Sequence, residues 1–247
     1  MVPAMVRQAV SSNASRIPTG GHLKLRTLLV TLISFAGLAL LLFASAGTLQ
    51  WPAAWAFFGI LAAASVVIEV MLLRHDPVLL AERLRLPIQP GQKRWDKVWI
   101  ATFVPLFLAW LPLIALDAAR FGWSHVPAWL QGVGGGAIVA CYCISYLAYR
   151  ENTFLAAVVK LQADRGQHVV STGPYAHVRH PLYAAAVLFL VGTALLLGSW
   201  YGLGDAVVLI AALTLRAVLE ERMLAAELPG YADYMRNVRY RLVPGVW

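Results

Sequence analysis

Long apolar runs alternate with shorter polar segments along the chain. Residues 27–68 contain no Lys, Arg, Asp, Glu or His, and this run is too long for one membrane helix, which needs about 20 residues. The segment Gly-Thr-Leu-Gln-Trp-Pro at 47–52 divides the run into two predicted helices. Further apolar runs predict four more helices. The predicted spans are 25–46, 52–73, 97–116, 127–149, 181–198 and 202–219.

The composition agrees with an integral membrane protein. The 247 residues are 60% hydrophobic and 13% charged, and the mean hydropathy is +0.68. We therefore predict an all-α, polytopic membrane helix bundle of about six transmembrane helices. It forms one domain over residues 1–247, with an N-terminal tail at 1–24. Residues 1–22 are polar, and we expect no cleaved signal peptide. Cys141 and Cys143 point to different faces of one helix, so no disulfide is expected.

The basic residues indicate the orientation of the bundle. Of the 20 lysines and arginines, 19 fall in the segments 1–26, 74–97, 150–179 and 216–247, which the predicted spans place on one side of the membrane. Only Arg120 falls on the other side. The positive-inside rule then predicts that both termini are cytoplasmic. We expect the bundle to lie in the cell (inner) membrane. This distribution explains the net charge of +8 without a nucleic-acid partner.

Two short segments carry local structural signals. Asp76-Pro77 predicts a helix N-cap followed by a proline at the first helical position, and residues 78–86 then predict a short helix in the membrane interface. The glycine-rich segment 132–137 follows no strand, so a nucleotide-binding loop is disfavoured. Gly132 and Gly136 instead form a small-xxx-small pair that predicts close helix packing.

Polar residues concentrate in the stretch Gly-Pro-Tyr-Ala-His-Val-Arg-His-Pro-Leu-Tyr at 173–183. Gly-Pro predicts a turn, His180 is expected to be extended because a proline follows it, and Pro181 opens the next helix. Arg179 and His180 then lie beside the free N–H groups of a helix start, where anionic groups are stabilised. We expect the polar connection 153–180, which leads into this stretch, to be ordered. Interfacial anchoring would explain each residue singly, but not all of them together.

A second polar group lies at the end of the last predicted span. Arg216 and Glu220 are four residues apart and share a helix face, whereas Glu221 points about 100° away. An interfacial ion pair between Arg216 and Glu220 would contribute little to stability. Because ionisable residues within an apolar helix tend to be functional, we expect a binding or catalytic role for this group.

The two motifs, Gly-Pro-Tyr-x-x-x-Arg-His-Pro-x-Tyr at 173–183 and Arg-x-x-x-Glu-Glu at 216–221, together resemble the isoprenylcysteine carboxyl methyltransferase family and the related phospholipid methyltransferases. The likeness covers roughly residues 150–247, which it implies are the cofactor-binding half. It implies S-adenosylmethionine as the cofactor and a catalytic contact of Arg216 with the carboxylate of the substrate. The implied cofactor contacts are Lys160, Gln167, His168, Val169, Val170, Tyr175, His180, Pro181, Leu182, Tyr183 and Glu220. Lys160 stands where the eukaryotic prenylcysteine enzymes have glutamine.

The resemblance implies methylation of a lipidic substrate, and carboxyl O-methylation of a prenylcysteine-like molecule from the bilayer is the leading prediction. Such a transfer needs no metal, and a carboxylate acceptor needs no general base because it is ionised at neutral pH. Amine N-methylation of a phospholipid is an alternative, for which Glu220 or Glu221 would be the base. A non-catalytic membrane protein that binds lipids is an alternative of another class.

The predicted orientation can be tested by single-cysteine labelling. In a background with Cys141 and Cys143 replaced by alanine, Trp123→Cys is expected to react with a membrane-impermeant maleimide from outside the cell, because residue 123 follows the third predicted span. Asp164→Cys, in the connection predicted to be cytoplasmic, is the matched control and should react only after the membrane is opened. Labelling of residue 123 from the cytoplasm alone would contradict the predicted topology.

Overall fold

The computed structural model describes residues 20–247, so the expectations for residues 1–19, a tail without a cleaved signal peptide, lie outside the described residues. The eight α-helices of the described part are α1 Gly20–Ala46, α2 Pro52–His75, α3 Pro77–Arg83, α4 Arg94–Ala115, α5 Ala128–Glu151, α6 Pro181–Leu197, α7 Trp200–Glu227 and α8 Tyr231–Asn237. A π-helical segment, Leu116–Phe121, continues α4, and short 3-10 turns occur at Ala163–Arg165 and Gly173–Ala176.

Five of these helices are long and apolar enough to cross a membrane: α1, α2, α4 with its π-helical end, α5 and α7. The remaining predicted span, α6, has 17 residues, which is at the short end of the range for a membrane helix. Residues 20–247 contain no β-strand, and one isolated bridge joins Val178 to Tyr240. These features confirm the predicted all-α, polytopic helix bundle.

Several helix ends differ from the prediction, among them α4, which begins at Arg94 rather than at 97 and continues as a π-helix to Phe121 rather than to 116. α1 begins at Gly20 rather than at 25, because Leu23 is buried in a cluster with side chains of α2 and so extends the packed part of the helix. α7 continues to Glu227 rather than ending at 219. Charged residues do not break a helix, and the first helix breaker after this span is Pro229.

Successive spans run in opposite directions, since short loops join α1 to α2 and α6 to α7. Arg26 donates to the carbonyl oxygen of Leu84 at one end of the bundle (2.8 Å). Ser199 donates to Asp117 at the opposite end (2.5 Å). We call the end that contains Arg26 and Leu84 the basic end. Helices α1, α4 and α6 begin there, and α2, α5 and α7 finish there.

Two local predictions are confirmed. The backbone N–H of Leu79 donates to Asp76 Oδ1 (2.9 Å), and Pro77 is the first residue of α3, so Asp76 caps this short helix. Cys141 is buried and Cys143 is exposed, and both are free thiols. The two cysteines therefore lie on different faces of α5.

The close packing of α5 on α6 uses a different glycine from the predicted pair. Gly132 and Gly136 have open space around them, whereas a Cβ on Gly134 would lie 2.5 Å from the backbone nitrogen of Leu196 and 2.6 Å from the carbonyl oxygen of Gly192. The prediction of a small-residue contact in this segment was correct, but the residue pair was wrong. Spacing along one helix does not determine which face meets the neighbouring helix.

The Gly134 contact predicts a specific loss of stability. Gly134→Ala is expected to lower the free energy of unfolding by about 1–3 kcal/mol, the usual cost of overpacking, because the added methyl group would meet the backbone of α6. Gly136→Ala is the matched control, and its melting temperature should stay the same or rise, since alanine favours helices. Thermal unfolding of both purified variants in detergent micelles is the measurement. Equal melting temperatures would contradict the assigned contact.

Candidate functional site

A cavity of about 380 Å³ lies at the basic end of the bundle. Helices α4, α6 and α7 form its wall within the spans, where Trp99, Phe103, Ala186 and Leu213 provide an apolar lining. The connection between α5 and α6, the turn before α6, and α8 form the remaining walls. The cavity therefore has an apolar part inside the membrane-spanning helices and a polar part outside them.

The turn before α6 is held in place by a segment that follows α8. The backbone N–H groups of Arg179 and His180 donate to the carbonyl oxygens of Tyr240 and Arg241 (3.0 and 2.9 Å). His180 has φ −127° and ψ 67°, and Pro181 is the first residue of α6, as predicted. This wall of the cavity is thus fixed by backbone hydrogen bonds to a distant part of the chain.

Glu221 joins the turn, α7 and the segment after α8. Its side chain is 3% exposed, and its two carboxylate oxygens accept from Arg179 Nε and Arg241 Nε (2.6 and 2.7 Å). His180 Nε2 lies 3.3 Å from Glu221 Oε1. Arg179 also donates to the carbonyl oxygen of Val238 (2.7 Å). Glu221 is therefore occupied by protein partners, and Arg179 is directed at this carboxylate.

The preceding residue, Glu220, points in another direction, because successive residues of an α-helix are rotated by about 100°. Its carboxylate lines the cavity. The Tyr183 hydroxyl donates to Glu220 Oε2 (2.6 Å). Glu220 thus presents a negative charge to the cavity with one neutral protein donor bound to it.

Arg216 is paired with Asp96 of α4. Arg216 Nε donates to Asp96 Oδ1 (2.8 Å), and Arg216 Nη2 donates to the carbonyl oxygen of Ala157 (3.0 Å). The guanidinium carbon lies 4.5 Å from the ring centre of Trp99, a cation–π distance. Among residues 20–247, the salt bridge of Arg216 is with Asp96 and not with Glu220. The ion pair considered from helical spacing is therefore corrected to a contact between two spans.

The connection between α5 and α6 forms a wall of the cavity outside the spans. Residues 154–159 and 167–170 line the cavity. Arg165 braces this segment by donating to the carbonyl oxygen of Thr153 (3.0 Å). Gln167 Oε1 accepts from the backbone N–H of Gln162 (2.7 Å), which leaves the Gln167 amide group as a donor for a ligand.

The buried Tyr175 hydroxyl of the lining has no hydrogen-bond partner within the described part of the chain, whereas His180 Nε2 faces the Glu221 carboxylate at 3.3 Å. Burial raises the pKa of Tyr175 well above its usual range, and burial also raises the pKa of Tyr234 to about 12. Both hydroxyls stay protonated at neutral pH. The Tyr234 hydroxyl donates to the carbonyl oxygen of Tyr175 (2.7 Å), so the Tyr175 hydroxyl is the buried atom that a ligand could satisfy.

Residues 130–228 match the phospholipid methyltransferase family. This match confirms the resemblance seen in the motifs at 173–183 and 216–221. The chain is also 28% identical over 149 residues to the cobalt-zinc-cadmium resistance protein CzcN of Cupriavidus metallidurans, over 60% of this chain and 52% of that protein. It thus spans about half the length of this curated relative.

All the predicted site residues fall within the part that matches the phospholipid methyltransferase family, and all but one line the cavity. Those in the lining are Gln167, His168, Val169, Val170, Tyr175, His180, Pro181, Leu182, Tyr183, Arg216 and Glu220. Lys160 is not part of the lining. Its ammonium group donates to Glu82 Oε1 (2.5 Å) and Gln89 Oε1 (2.9 Å), so it is held against α3 and the segment that follows it.

Several residues of the lining or its support lie outside the two motifs. Asp96, Trp99 and Phe103 come from the first turns of α4, before the part that matches the family, and Tyr231 and Tyr234 come from α8 after it. The sequence did contain one indication of a role for Asp96, because this carboxylate lies next to the start of an apolar span. The aromatic residues resemble interfacial anchors in the sequence, so nothing in the sequence distinguished them.

The different surroundings of the two adjacent glutamates predict different mutant phenotypes. Glu221→Gln is expected to lower the free energy of unfolding by about 3–5 kcal/mol, because it leaves the buried Arg179 and the partly exposed Arg241 without their counter-charge. Glu220→Gln is the matched control and should unfold near the wild-type temperature, since its main partner is a neutral hydroxyl. Thermal melts in detergent compare the two. A stable Glu221→Gln protein beside an unstable Glu220→Gln protein would reverse the assignment.

Proposed function

We propose that the protein is an S-adenosylmethionine-dependent membrane methyltransferase that methylates the carboxylate of a lipidic, prenylcysteine-like substrate. The observation that carries the proposal is one cavity that combines Glu220, Arg216 and an apolar part between spans, in a chain whose residues 130–228 match the phospholipid methyltransferase family. Reaction at the cytoplasmic face of the cell membrane is part of the proposal, and it is supported by the distribution of basic residues.

The residues of the cavity fit the proposed cofactor. A volume of about 380 Å³ is within the usual range for small-molecule sites, about 300–1,000 Å³. S-adenosylmethionine supplies a methyl group on a positively charged sulfur. Glu220 provides a counter-charge, and the Tyr175 hydroxyl is buried and lacks a hydrogen-bond partner within residues 20–247. Valines 169 and 170 and the ring of Tyr231 provide apolar surface for an aromatic base.

The other part of the cavity fits an acceptor with a hydrocarbon chain. Phe103, Ala186 and Leu213 belong to membrane-spanning helices, so a chain held against them remains in an apolar environment. Arg216 and Leu213 lie on the same helix, α7, and Arg216 is the nearer of the two to the basic end. Its Nη1 group donates to no protein atom in residues 20–247 and is available for a substrate carboxylate.

In the proposed reaction a carboxylate oxygen would bond to the methyl carbon as the bond from that carbon to sulfur breaks, and the neutral thioether S-adenosylhomocysteine would leave, which places modest chemical demands on the protein. A carboxylate acceptor is ionised at neutral pH, so the residues need only hold it in line with the methyl group and exclude water. Holding two reactants in this geometry can account for a large part of a rate enhancement. Arg216 would orient the acceptor, and Glu220 with Tyr183 would orient the cofactor.

A phospholipid amine is a second candidate acceptor, because the matching family is described as phospholipid methyltransferases. An amine must lose a proton before it attacks, and Glu220 would be the base. Glu221 is a poor candidate since two arginines bind its carboxylate. The two candidate reactions therefore differ in their dependence on Glu220.

Two variants separate acceptor binding from cofactor binding. Arg216→Lys keeps the charge but loses the planar fork, so turnover of a prenylcysteine analogue should fall by about 10²-fold with little change in affinity for S-adenosylhomocysteine. Glu220→Gln should weaken S-adenosylhomocysteine first. The measurements are isothermal titration calorimetry and transfer of a radiolabelled methyl group, both with purified protein in lipid nanodiscs.

Each alternative predicts another outcome of this experiment. Transfer to phosphatidylethanolamine but not to the prenylcysteine analogue would establish the amine reaction. No binding of S-adenosylhomocysteine by the folded wild-type protein would favour a non-catalytic lipid-binding protein. Normal turnover by Arg216→Lys would contradict the carboxylate contact.

A further inference from the structure

Asp96 is a fully buried carboxylate at the boundary of the candidate site. It lies in the first turn of α4, and its exposure is 0%. Its Oδ1 accepts from Arg216 Nε (2.8 Å), and its Oδ2 accepts from the backbone N–H of Val159 (2.8 Å) and from Gln92 Nε2 (2.9 Å). The donors come from α7, from the connection between α5 and α6, and from the segment before α4.

Burying this carboxylate is costly, and stability alone is a weak reason for it. A buried ion pair is often no more stable than apolar residues of the same volume, since both charges lose their hydration. The groups that Asp96 orders are also unusual. They are the guanidinium of Arg216 and the wall formed by residues 154–159, both of which line the cavity.

Three contacts restrict the guanidinium of Arg216. Asp96 engages the Nε edge, the carbonyl oxygen of Ala157 accepts from Nη2, and the Trp99 ring lies 4.5 Å from the guanidinium carbon. Trp99 is an uncharged surface and Ala157 a single neutral acceptor, so within residues 20–247 the charged group that pairs directly with the guanidinium is Asp96. Nη1 is then left as the group that can donate into the cavity.

The second carboxylate oxygen positions the adjacent wall. Asp96 Oδ2 binds the N–H of Val159, and the carbonyl oxygen of Val159 accepts from the N–H of Lys93 (3.1 Å). Val159 is therefore held on both sides by the start of α4. Ala157, two residues earlier, carries the carbonyl group that binds Arg216. The Asp96 carboxylate thus fixes the position of Arg216 relative to the wall beside it.

We propose that Asp96 is a positioning residue for methyl transfer, which acts by directing Arg216 toward the acceptor while it anchors the wall at residues 157–159. This inference rests on the proposed function. Asp96 itself does not line the cavity, so it makes no contact with the substrate. Its effect on the reaction passes through Arg216.

The expected phenotype is a loss of turnover without loss of cofactor binding. Asp96→Asn keeps the shape of the side chain but removes the charge that directs Arg216, and kcat for the prenylcysteine analogue should fall by about 10²-fold, as for a misplaced reacting group. Affinity for S-adenosylhomocysteine should stay within about threefold of wild type. Asp233→Asn is the matched control, because Asp233 is at the surface and pairs with Arg236; its kinetics should be those of wild type.

A double-mutant cycle tests whether Asp96 acts through Arg216. In the Arg216→Lys background, adding Asp96→Asn should reduce kcat by less than about threefold, because the directed group is already lost. A purely structural role would lower the rate by the same factor in both backgrounds, and that result would overturn the proposal. If Asp96→Asn does not fold, Asp96→Glu replaces it: the charge is kept but displaced by one methylene, and wild-type turnover by this variant would also overturn the proposal.

The outcomes separate this inference from the proposed function. If the wild-type protein neither binds S-adenosylhomocysteine nor transfers a methyl group, the proposed function fails, and the positioning role fails with it. If the wild-type protein is active and the Asp96 variants keep its kcat, only the positioning role fails. A selective fall in kcat, absent from the Arg216→Lys background, supports both.

Discussion

Glu221 carries a charge that has been removed from water, and the candidate site depends on how that charge is balanced. A buried carboxylate is tolerated when it is paired and fully hydrogen-bonded. Arg179 comes from the turn before α6, and Arg241 comes from the segment after α8. Balancing one charge therefore brings together the turn before α6, α7 and the segment after α8, and the first two of these line the cavity.

The same constraint explains how the charged residues at the basic end are divided between structure and chemistry. Glu221 and Asp96 are buried, and each accepts from several protein donors. Glu220 differs from its neighbour only by the rotation of one helical step, yet its charge faces the cavity with a tyrosine hydroxyl as its partner. A charge left without a full set of protein partners, at the edge of an apolar bundle, is suited to a charged ligand.

The fold could be predicted largely from the sequence, because the membrane requires long apolar helices and those are visible as runs. The local signal of Asp76-Pro77 was also sufficient, since a cap involves neighbours in sequence. The partner of Arg216 could not be predicted, because Asp96 is 120 residues away and helical spacing points only to residues on the same helix. Gly134 was missed for a related reason, as the face that α5 presents to α6 depends on the assembled bundle.

The hydrogen bonds between the turn at 179–180 and residues 240–241 have a consequence for biosynthesis. A ribosome makes the chain from its N-terminus, so the helices α1 to α8 are all synthesised before residues 240–241. Until those residues emerge, Arg179 and Glu221 lack part of their surroundings, and the turn that lines the cavity has no backbone partner. The wall of the pocket at residues 179–180 is therefore completed only after every helix of the described chain has been synthesised.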